Sequence, residues 1–422
     1  MRILFTYENI VPTSQADAEV FFNTAAALSR RGHEATMVVP RPPGGDAGLA
    51  EEVRRYYELE GALRIETLPS LTFNLGVQHA FHAARLPLRA AQLHPDFVYT
   101  RNLACVTTCL AAGQKVFFDH YRPWGDQFPA LQPLIVQLMT HPNFLGMVVH
   151  SEFSRDAYLR IGVPASRLRV AHNGFSPTRM EPRRTKAEAR REVGLPVDRP
   201  TVVYTGRVNA KKGLEMVLSM ARRLPEVMFV LVGSEGEGPI EREAAGMENV
   251  RIVGWQSFAG TAPYLYAADI LIVPPSLAPL EQFGNTVLPL KLFLYLSAGR
   301  AILAADNPDV RELLAHDENA WLIEAGDEDG AVEGVRTLIG DPARLARLGE
   351  ACEALAATLT WDARAEKIEA FFLERWAAER ERVPDEGFDP KQCLEESAAW
   401  LRGGITEGRW VHRNDGRSDT DR

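Results

Sequence analysis

The sequence lacks the features that would thread a chain through a membrane, cross-link it or build it around a metal. Its 422 residues include only four cysteines, Cys105, Cys109, Cys352 and Cys393, too few and too scattered for a disulfide framework or a zinc site. Cys105 and Cys109 stand four apart in an apolar, helix-patterned stretch, which is the spacing of two packing residues. No apolar run approaches the length of a spanning helix. Met1-Arg-Ile-Leu-Phe passes straight into a strand pattern without a signal-peptide layout, so a cytoplasmic protein is expected. The phosphate loop Gly-x4-Gly-Lys-Ser/Thr is absent, which excludes that route to nucleotide binding. Positive charge is also short: 47 Lys and Arg face 56 Asp and Glu, for a formal net charge of −9. A nucleic-acid partner is therefore not expected, because phosphate binding needs a concentrated basic surface. Peripheral membrane contact stays open, since one basic face would suffice, and oligomeric state is not legible.

What remains is the composition of an ordinary globular protein, 46% hydrophobic and 24% charged, long enough for two domains with separate cores. Arg2–Tyr7 reads as a strand, followed by a helix with Val20, Phe21, Ala25 and Leu28 on its buried face and by a second strand at Glu34–Val39. Leu63–Leu68, Phe97–Thr100, Val116–Asp119, Val148–Ser151 and Leu168–Ala171 continue the series. Such βαβ repetition predicts a parallel sheet covered by helices, with ligands at the carboxyl ends of the strands. The loop from Glu8 to Asp17, containing Ser14, Gln15 and Ala16, belongs to that end, as does Asp119-His120-Tyr121-Arg122-Pro123-Trp124. Asn173-Gly174 is a turn pair by its tolerance of positive φ, and Pro177–Arg191 reads as a linker leading into a helix.

The second half repeats the scheme and opens on its most informative stretch, Thr201-Val-Val-Tyr-Thr-Gly-Arg-Val-Asn-Ala-Lys-Lys-Gly213. A β-branched and aromatic strand gives way at Gly206 to a loop carrying Arg207 and Lys212. Beyond Gly213 comes a helix with Leu214, Val217, Leu218, Ala221 and Leu224 on one face. Two cations between a strand end and a helix start suit a diphosphate, although a solvated basic loop would read the same way. Strands follow at Val227–Val232, Val250–Trp255, Ile270–Val273, Ala301–Ala305 and Trp321–Glu324, with a helix at Pro308–Ala315. The glycines of Gly233–Gly238 read as a plain turn, and Lys291 as a lysine snorkelling on a helix surface in preference to a ligand contact.

A second segment, Pro274–Ala305, contains Glu281-Gln282-Phe283-Gly284-Asn285-Thr286 and ends in an apolar helix before Gly299. Together with Thr201–Gly213 it resembles the donor half of retaining GT-B glycosyltransferases, in particular glycosyltransferase family four, over about residues 1 to 380. The resemblance implies two Rossmann-like domains facing across a cleft. Residues 1–178, completed by a closing helix near 363–382, would form the acceptor domain, and 179–362 the nucleotide-sugar domain. Residues 383–422 would be an extension, partly mobile.

The resemblance also implies roles. His120 would touch the transferred sugar, unless it merely hydrogen-bonds to Asp119. Arg207 and Lys212 would hold the diphosphate beside Gly206, and the backbone near Gly254, Trp255 and Gln256 would read the base. Glu281 would orient the sugar hydroxyls beside Phe283 and Gly284, with Asn285 and Thr286 gripping the diphosphate end. Ser14, Gln15, Ala16, Asp119 and Asn173 would line the acceptor side or the cleft. In the family a second Glu holds the ribose, but here Pro289 stands eight residues after Glu281 and Leu294 takes the aligned helix position. Leu cannot supply that acceptor. Asp327-Glu328-Asp329 and Asp419-Thr420-Asp421 match a metal motif of another fold only superficially, and no metal or other cofactor is expected. The implied reaction is metal-independent, retaining transfer of a hexose from a nucleotide sugar, UDP favoured, to an acceptor hydroxyl. A nucleotide-sugar epimerase of the same architecture and a degenerate, partner-binding homologue remain as alternatives.

Overall fold

A parallel strand pair needs a connection long enough to hold a helix, so short apolar strands alternating with amphipathic helices leave few arrangements. In the computed structural model, which describes residues 1–71, 74–277 and 288–380, the pattern closes into two parallel sheets. Each sheet lies in its own unit: one holds Met1–Ala171 and the chain from Ala365, the other His172–Arg364.

The first sheet contains β1 (Arg2–Thr6), β2 (Glu34–Pro40), β3 (Leu63–Leu68), β4 (Phe97–Thr100), β5 (Val116–His120), β6 (Phe144–Val149) and β7 (Leu168–Val170). Their order is β3-β2-β1-β4-β5-β6-β7. The middle strands are buried along nearly their whole length, as a sheet covered on both faces requires. The chain steps outward from β1 to β3, then returns to lay β4 against β1, with Ile3 opposite Phe97. That reversal leaves a crevice at the carboxyl ends of β1 and β4, where connections depart in opposite directions.

The second sheet contains β8 (Thr201–Thr205), β9 (Met228–Ser234), β10 (Val250–Gly254), β11 (Ile270–Ile272), β12 (Ala301–Ala305) and β13 (Trp321–Ile323), in the order β10-β9-β8-β11-β12-β13. The same reversal falls between β8 and β11, where Ile270 pairs with Val202. Two parallel α/β units of this kind make the Rossmann-like architecture that the alternating pattern predicts.

Two elements differ from the sequence expectation. The strand expected at Val148–Ser151 begins at Phe144, because Gly146 belongs to it: a Cβ there would stand 2.5 Å from Cζ of Phe371. A glycine inside an apolar run hides a strand start, and here it admits an aromatic ring. The helix expected at Pro308–Ala315 is a single 3-10 turn, Val310–Glu312. The Asn319 side chain donates to the Leu313 carbonyl and accepts from the Ala315 N–H, satisfying backbone groups that a longer helix would have used.

The helix Trp361–Arg380 turns aromatic residues toward the first sheet. Phe371 and Phe372 are buried, with Phe372 centred 4.8 Å from Phe97 and 4.4 Å from Phe117. Glu369 pairs with Arg31 and His33 on the same unit. Asp327 caps the helix Glu328–Gly340 by accepting the Gly330 N–H at 2.8 Å, the structural use that its place before a helix suggested. Asp327→Ala should cost about 1 kcal/mol, as loss of an N-cap does, measured as a small fall in melting temperature.

Candidate functional site

Both sheets collect their polar side chains at the strand ends where the topology reverses. In the second unit the centre is the exit from β8. Gly206 takes φ 130, which side-chain-bearing residues rarely adopt, and turns the chain toward a 3-10 turn at Ala210–Lys212. The turn gives onto the helix Leu214–Arg223, whose buried residues include Leu214, Val217, Leu218 and Ala221. Tyr295 holds the end of β8 in place, its hydroxyl accepting the Thr205 N–H at 2.7 Å.

Arg207 and Lys212 both lie on the exposed face of this bend. Arg207 is half-exposed, with Nε 3.4 Å from Glu235 Oε1. Partial burial, with Arg207 nearby, lowers the pKa of Lys212, so the two cations share one neighbourhood. Lys291 joins them, and its position corrects the reading of a surface lysine. Its ammonium lies 3.6 Å from the centre of the Tyr204 ring, and a Cβ added at Gly206 would stand 2.9 Å from Nζ. The signal was a lone cation in Pro-Leu-Lys-Leu-Phe-Leu-Tyr, where every neighbour is apolar. Leu294, one turn on, packs against the buried core of the second unit, as an aliphatic side chain should.

Gly254, Trp255 and Gln256 follow β10, which lies two strands from β8. Trp255 is 52% exposed while its N–H donates to the Ser234 carbonyl, which ties this strand end to that of β9. The indole is thus an open apolar face beside the β9 loop. Glu281, Phe283, Gly284, Asn285 and Thr286 lie outside the described residues. Asn173 is buried, and its side-chain oxygen has no hydrogen-bond partner among the described residues. Beside it His172 pairs with Glu312 at 2.9 Å.

In the first unit, four neighbouring strands end in polar groups. Asp119, wholly buried, accepts from the Tyr99 hydroxyl at 2.6 Å and lies 2.8 Å from His150 Nε2, with Arg101 Nε at 3.5 Å. Arg101 also donates to the Asp17 carbonyl and lies over the Tyr121 ring, tying the loop after β1 to that after β5. The hydrogen bond that the sequence left open between His120 and Asp119 is not formed; His150 takes that place. His120 instead bonds through Nδ1 to the Arg122 carbonyl at 2.8 Å and stacks between Phe118 and Trp124. Burial pushes its pKa down to about 3, so the ring is neutral at pH 7. With Nδ1–H donating to the carbonyl, Nε2 carries the lone pair, and it has no hydrogen-bond partner among the described residues. The arrangement can accept one hydrogen bond from a hydroxyl.

Gln15 precedes the helix Ala16–Arg30 and receives the Tyr7 hydroxyl at 3.5 Å, while the Tyr57 hydroxyl holds the Thr13 backbone. Ser14 and Ala16 flank that contact. Glu8, at the end of β1, has its pKa raised by burial, and one of its carboxylate oxygens is buried without a hydrogen-bond partner among the described residues. The sequence reading missed Arg101, His150 and Glu8. Each is the first or second residue after an apolar strand, a position readable as a strand end facing ligand.

Comparison with known proteins divides the chain in the same way. Residues 18–179 match the family described as Glycosyltransferase Family 4, and residues 199–341 match Glycosyl transferases group 1. The chain is 26% identical over 171 residues to the lipopolysaccharide core biosynthesis glycosyltransferase LpsE of Rhizobium meliloti, covering 40% of this chain and 47% of that one. It is 25% identical over 247 residues to the D-inositol 3-phosphate glycosyltransferase of Xylanimonas cellulosilytica, covering 55% and 56%. The chain thus spans about half the length of the curated relatives it matches. Among solved structures, Anabaena Alr3699/HepE in complex with UDP-glucose superposes with a TM-score of 0.68 at 16% identity, covering 89% of this chain and all of the other. Sucrose-phosphate synthase from Thermosynechococcus elongatus superposes at 0.71 and 17%, covering 89% and 99%. The fold is that of the GT-B glycosyltransferases. One glycosyltransferase family match thus falls on each half, and the two together span most of the described residues.

Proposed function

We propose that the protein is a retaining glycosyltransferase that moves a hexose from a nucleoside-diphosphate sugar, UDP favoured, to an acceptor hydroxyl. The observation that carries this reading is the grouping of Arg207 and Lys212 around the Gly206 bend, at the reversal point of the second sheet. Breaking the anomeric bond places negative charge on the departing diphosphate, and fixed cations there stabilise that charge more in the transition state than in the bound substrate. The reading gives this task to side chains and asks for no metal. The choice of UDP is supported by the Anabaena neighbour, solved with UDP-glucose. Retention follows the family resemblance: the acceptor attacks from the face the diphosphate leaves, and the leaving oxygen takes the acceptor's proton. Glu281 would orient the sugar hydroxyls, Phe283 and Gly284 would flank the sugar, and Asn285 and Thr286 would grip the diphosphate end. Gly254, Trp255 and Gln256 would border the base, while Ser14, Gln15, Ala16, Asp119 and Asn173 would belong to the acceptor side.

Melting the protein with UDP, GDP, ADP and TDP tests the donor class, because a ligand bound to the folded state raises the melting temperature. UDP should give the largest rise; no rise with any of the four would sink the proposal. Proton NMR of the product formed from UDP-glucose should show the α configuration kept, and a β product would refute retention.

His120, neutral and with Nε2 available, would accept a hydrogen bond from a sugar hydroxyl. His120→Ala should lower kcat/KM about tenfold, the worth of one such bond, without changing UDP affinity. Because the imidazole titrates near pH 3, the wild-type rate should show no acid limb from His120 between about pH 5 and 8, unlike an exposed histidine. A limb in that range that disappears in His120→Ala would contradict the assignment.

A further inference from the structure

The helix Lys291–Ser297 buries Leu292, Phe293, Tyr295, Leu296 and Ser297. A lysine at the start of such a helix would ordinarily lay its methylenes on apolar surface and send the ammonium to water. Lys291 does the reverse. Its Nζ reaches back to the Tyr204 ring at 3.6 Å and lies under the Gly206 bend, where a Cβ would come within 2.9 Å of it. Glycine at 206 therefore does two things: it allows φ 130, and it leaves the ammonium a path to the backbone edge of the strand exit.

The surroundings oppose a second positive charge. Among the described residues Lys291 has no carboxylate in ion-pair range, and the charge that acts on it is that of another cation, Lys212. Burial, reinforced by Lys212, pushes the pKa of Lys291 well below the ordinary lysine range. The groups that act on it are Lys212, on the turn after β8, and the Tyr204 ring on β8. The Tyr204 hydroxyl donates to the Arg207 carbonyl, and the Tyr295 hydroxyl accepts the Thr205 N–H. Burial keeps both phenols protonated, so neither supplies an anion. The residue one turn along the helix is Leu294, which is apolar and packs against the core. A cation kept beside a cation, with no anion of its own among the described residues, matches a site completed by an anion from outside.

We propose that Lys291 is a third binding residue for the donor's diphosphate, holding it against the Gly206 backbone beside Lys212. This rests on the donor-site reading given above. A diphosphate brought to Lys291 stabilises the ammonium form, so the lysine should gain a proton as the nucleotide binds. Uptake should be largest between the depressed value of the free protein and the raised value of the complex.

Calorimetric titration of the full chain with UDP, at about pH 8 in two buffers of different ionisation enthalpy, measures that proton directly. The terminal phosphate of UDP, with a pKa of about 6, is already ionised there and contributes nothing. Wild-type protein should take up a fraction of a proton per UDP. Lys291→Met should bind UDP about ten- to hundredfold more weakly, the worth of a charge-assisted hydrogen bond, and take up less than wild type, with Lys212 supplying the remainder. Lys291→Arg, charged at any accessible pH, should bind within a few fold of wild type with the same reduced uptake. Equal UDP affinity in wild type and Lys291→Met, or uptake in Lys291→Arg equal to that of wild type, would overturn the assignment while leaving the donor site intact. If Lys291→Met does not fold, the comparison of Lys291→Arg with wild type still decides. Failure of the wild type to bind any of the four nucleotides would overturn both readings.

Discussion

Arg207→Ala is expected to abolish the rise in melting temperature produced by UDP and to lower kcat/KM for transfer about 10²- to 10³-fold, as removal of a preorganised charge-stabilising donor does. The geometry explains why so exposed a side chain should matter this much. In the free protein its guanidinium pairs with Glu235 at 3.4 Å, and both side chains are about half exposed. An ion pair in that setting is worth little, so exchanging Glu235 for a diphosphate costs the protein almost nothing. Glu235→Gln should accordingly leave the fold unchanged and UDP affinity the same or slightly higher. Arg207→Lys should recover only part of the loss, since an ammonium cannot present the parallel donors of a guanidinium to a phosphate. A full UDP shift in Arg207→Ala would remove this residue from the site and return the β8 loop to the status of a solvated basic turn.

Much of the fold could be read from periodicity, because the central strands are short apolar runs and such runs lie in covered parallel sheets. Leu63–Leu68 and Phe97–Thr100 form over the residues their pattern marks. The misplaced start of β6 and the missing helix after Pro308 each trace to a side-chain contact that periodicity does not show, distant in sequence for the first and local for the second. Phe371 arrives at Gly146 from far along the chain, and Asn319 claims carbonyl and amide groups that a local reading assigns to a helix.

Within the site, Gly206, Arg207 and Lys212 were visible because they are contiguous and their chemistry is local. Lys291 was not, because its importance lies in which way four methylenes run, and sequence spacing carries no direction for a side chain at a helix start. His120 was found as a strand-end histidine, and the alternative left open for it, a hydrogen bond to Asp119, is replaced by one to the Arg122 carbonyl. His120 ends β5 as the immediate neighbour of Asp119, so the two side chains point to opposite faces of the sheet, whereas His150, just past the end of adjacent β6, reaches Asp119.

That carboxylate sets the second large expectation. Asp119 is buried with Arg101, His150 and Tyr99 around it, and Arg101 is itself almost wholly inaccessible. Removing one member of a buried ion pair leaves the other charge in a medium that cannot solvate it. Asp119→Ala should therefore destabilise the first unit by about 3–5 kcal/mol, more than the loss of any single hydrogen bond here. The damage should be confined by topology. β5 and its neighbours belong to the first sheet, whereas Arg207, Lys212 and Lys291 belong to the second. Hydrogen exchange should show faster opening of Val116–His120 and Phe144–Val149 in Asp119→Ala, while the second unit still binds UDP. A paired replacement, Arg101→Met with Asp119→Leu, removes both charges and should recover much of the stability, because an apolar pair requires no solvation. It would not restore activity, since Arg101 also holds the Asp17 carbonyl and so positions the loop after β1. A loss below about 1 kcal/mol in Asp119→Ala would mean that Arg101 finds another partner or water there. Loss of stability together with loss of UDP binding would contradict the independence of the two units on which this expectation rests.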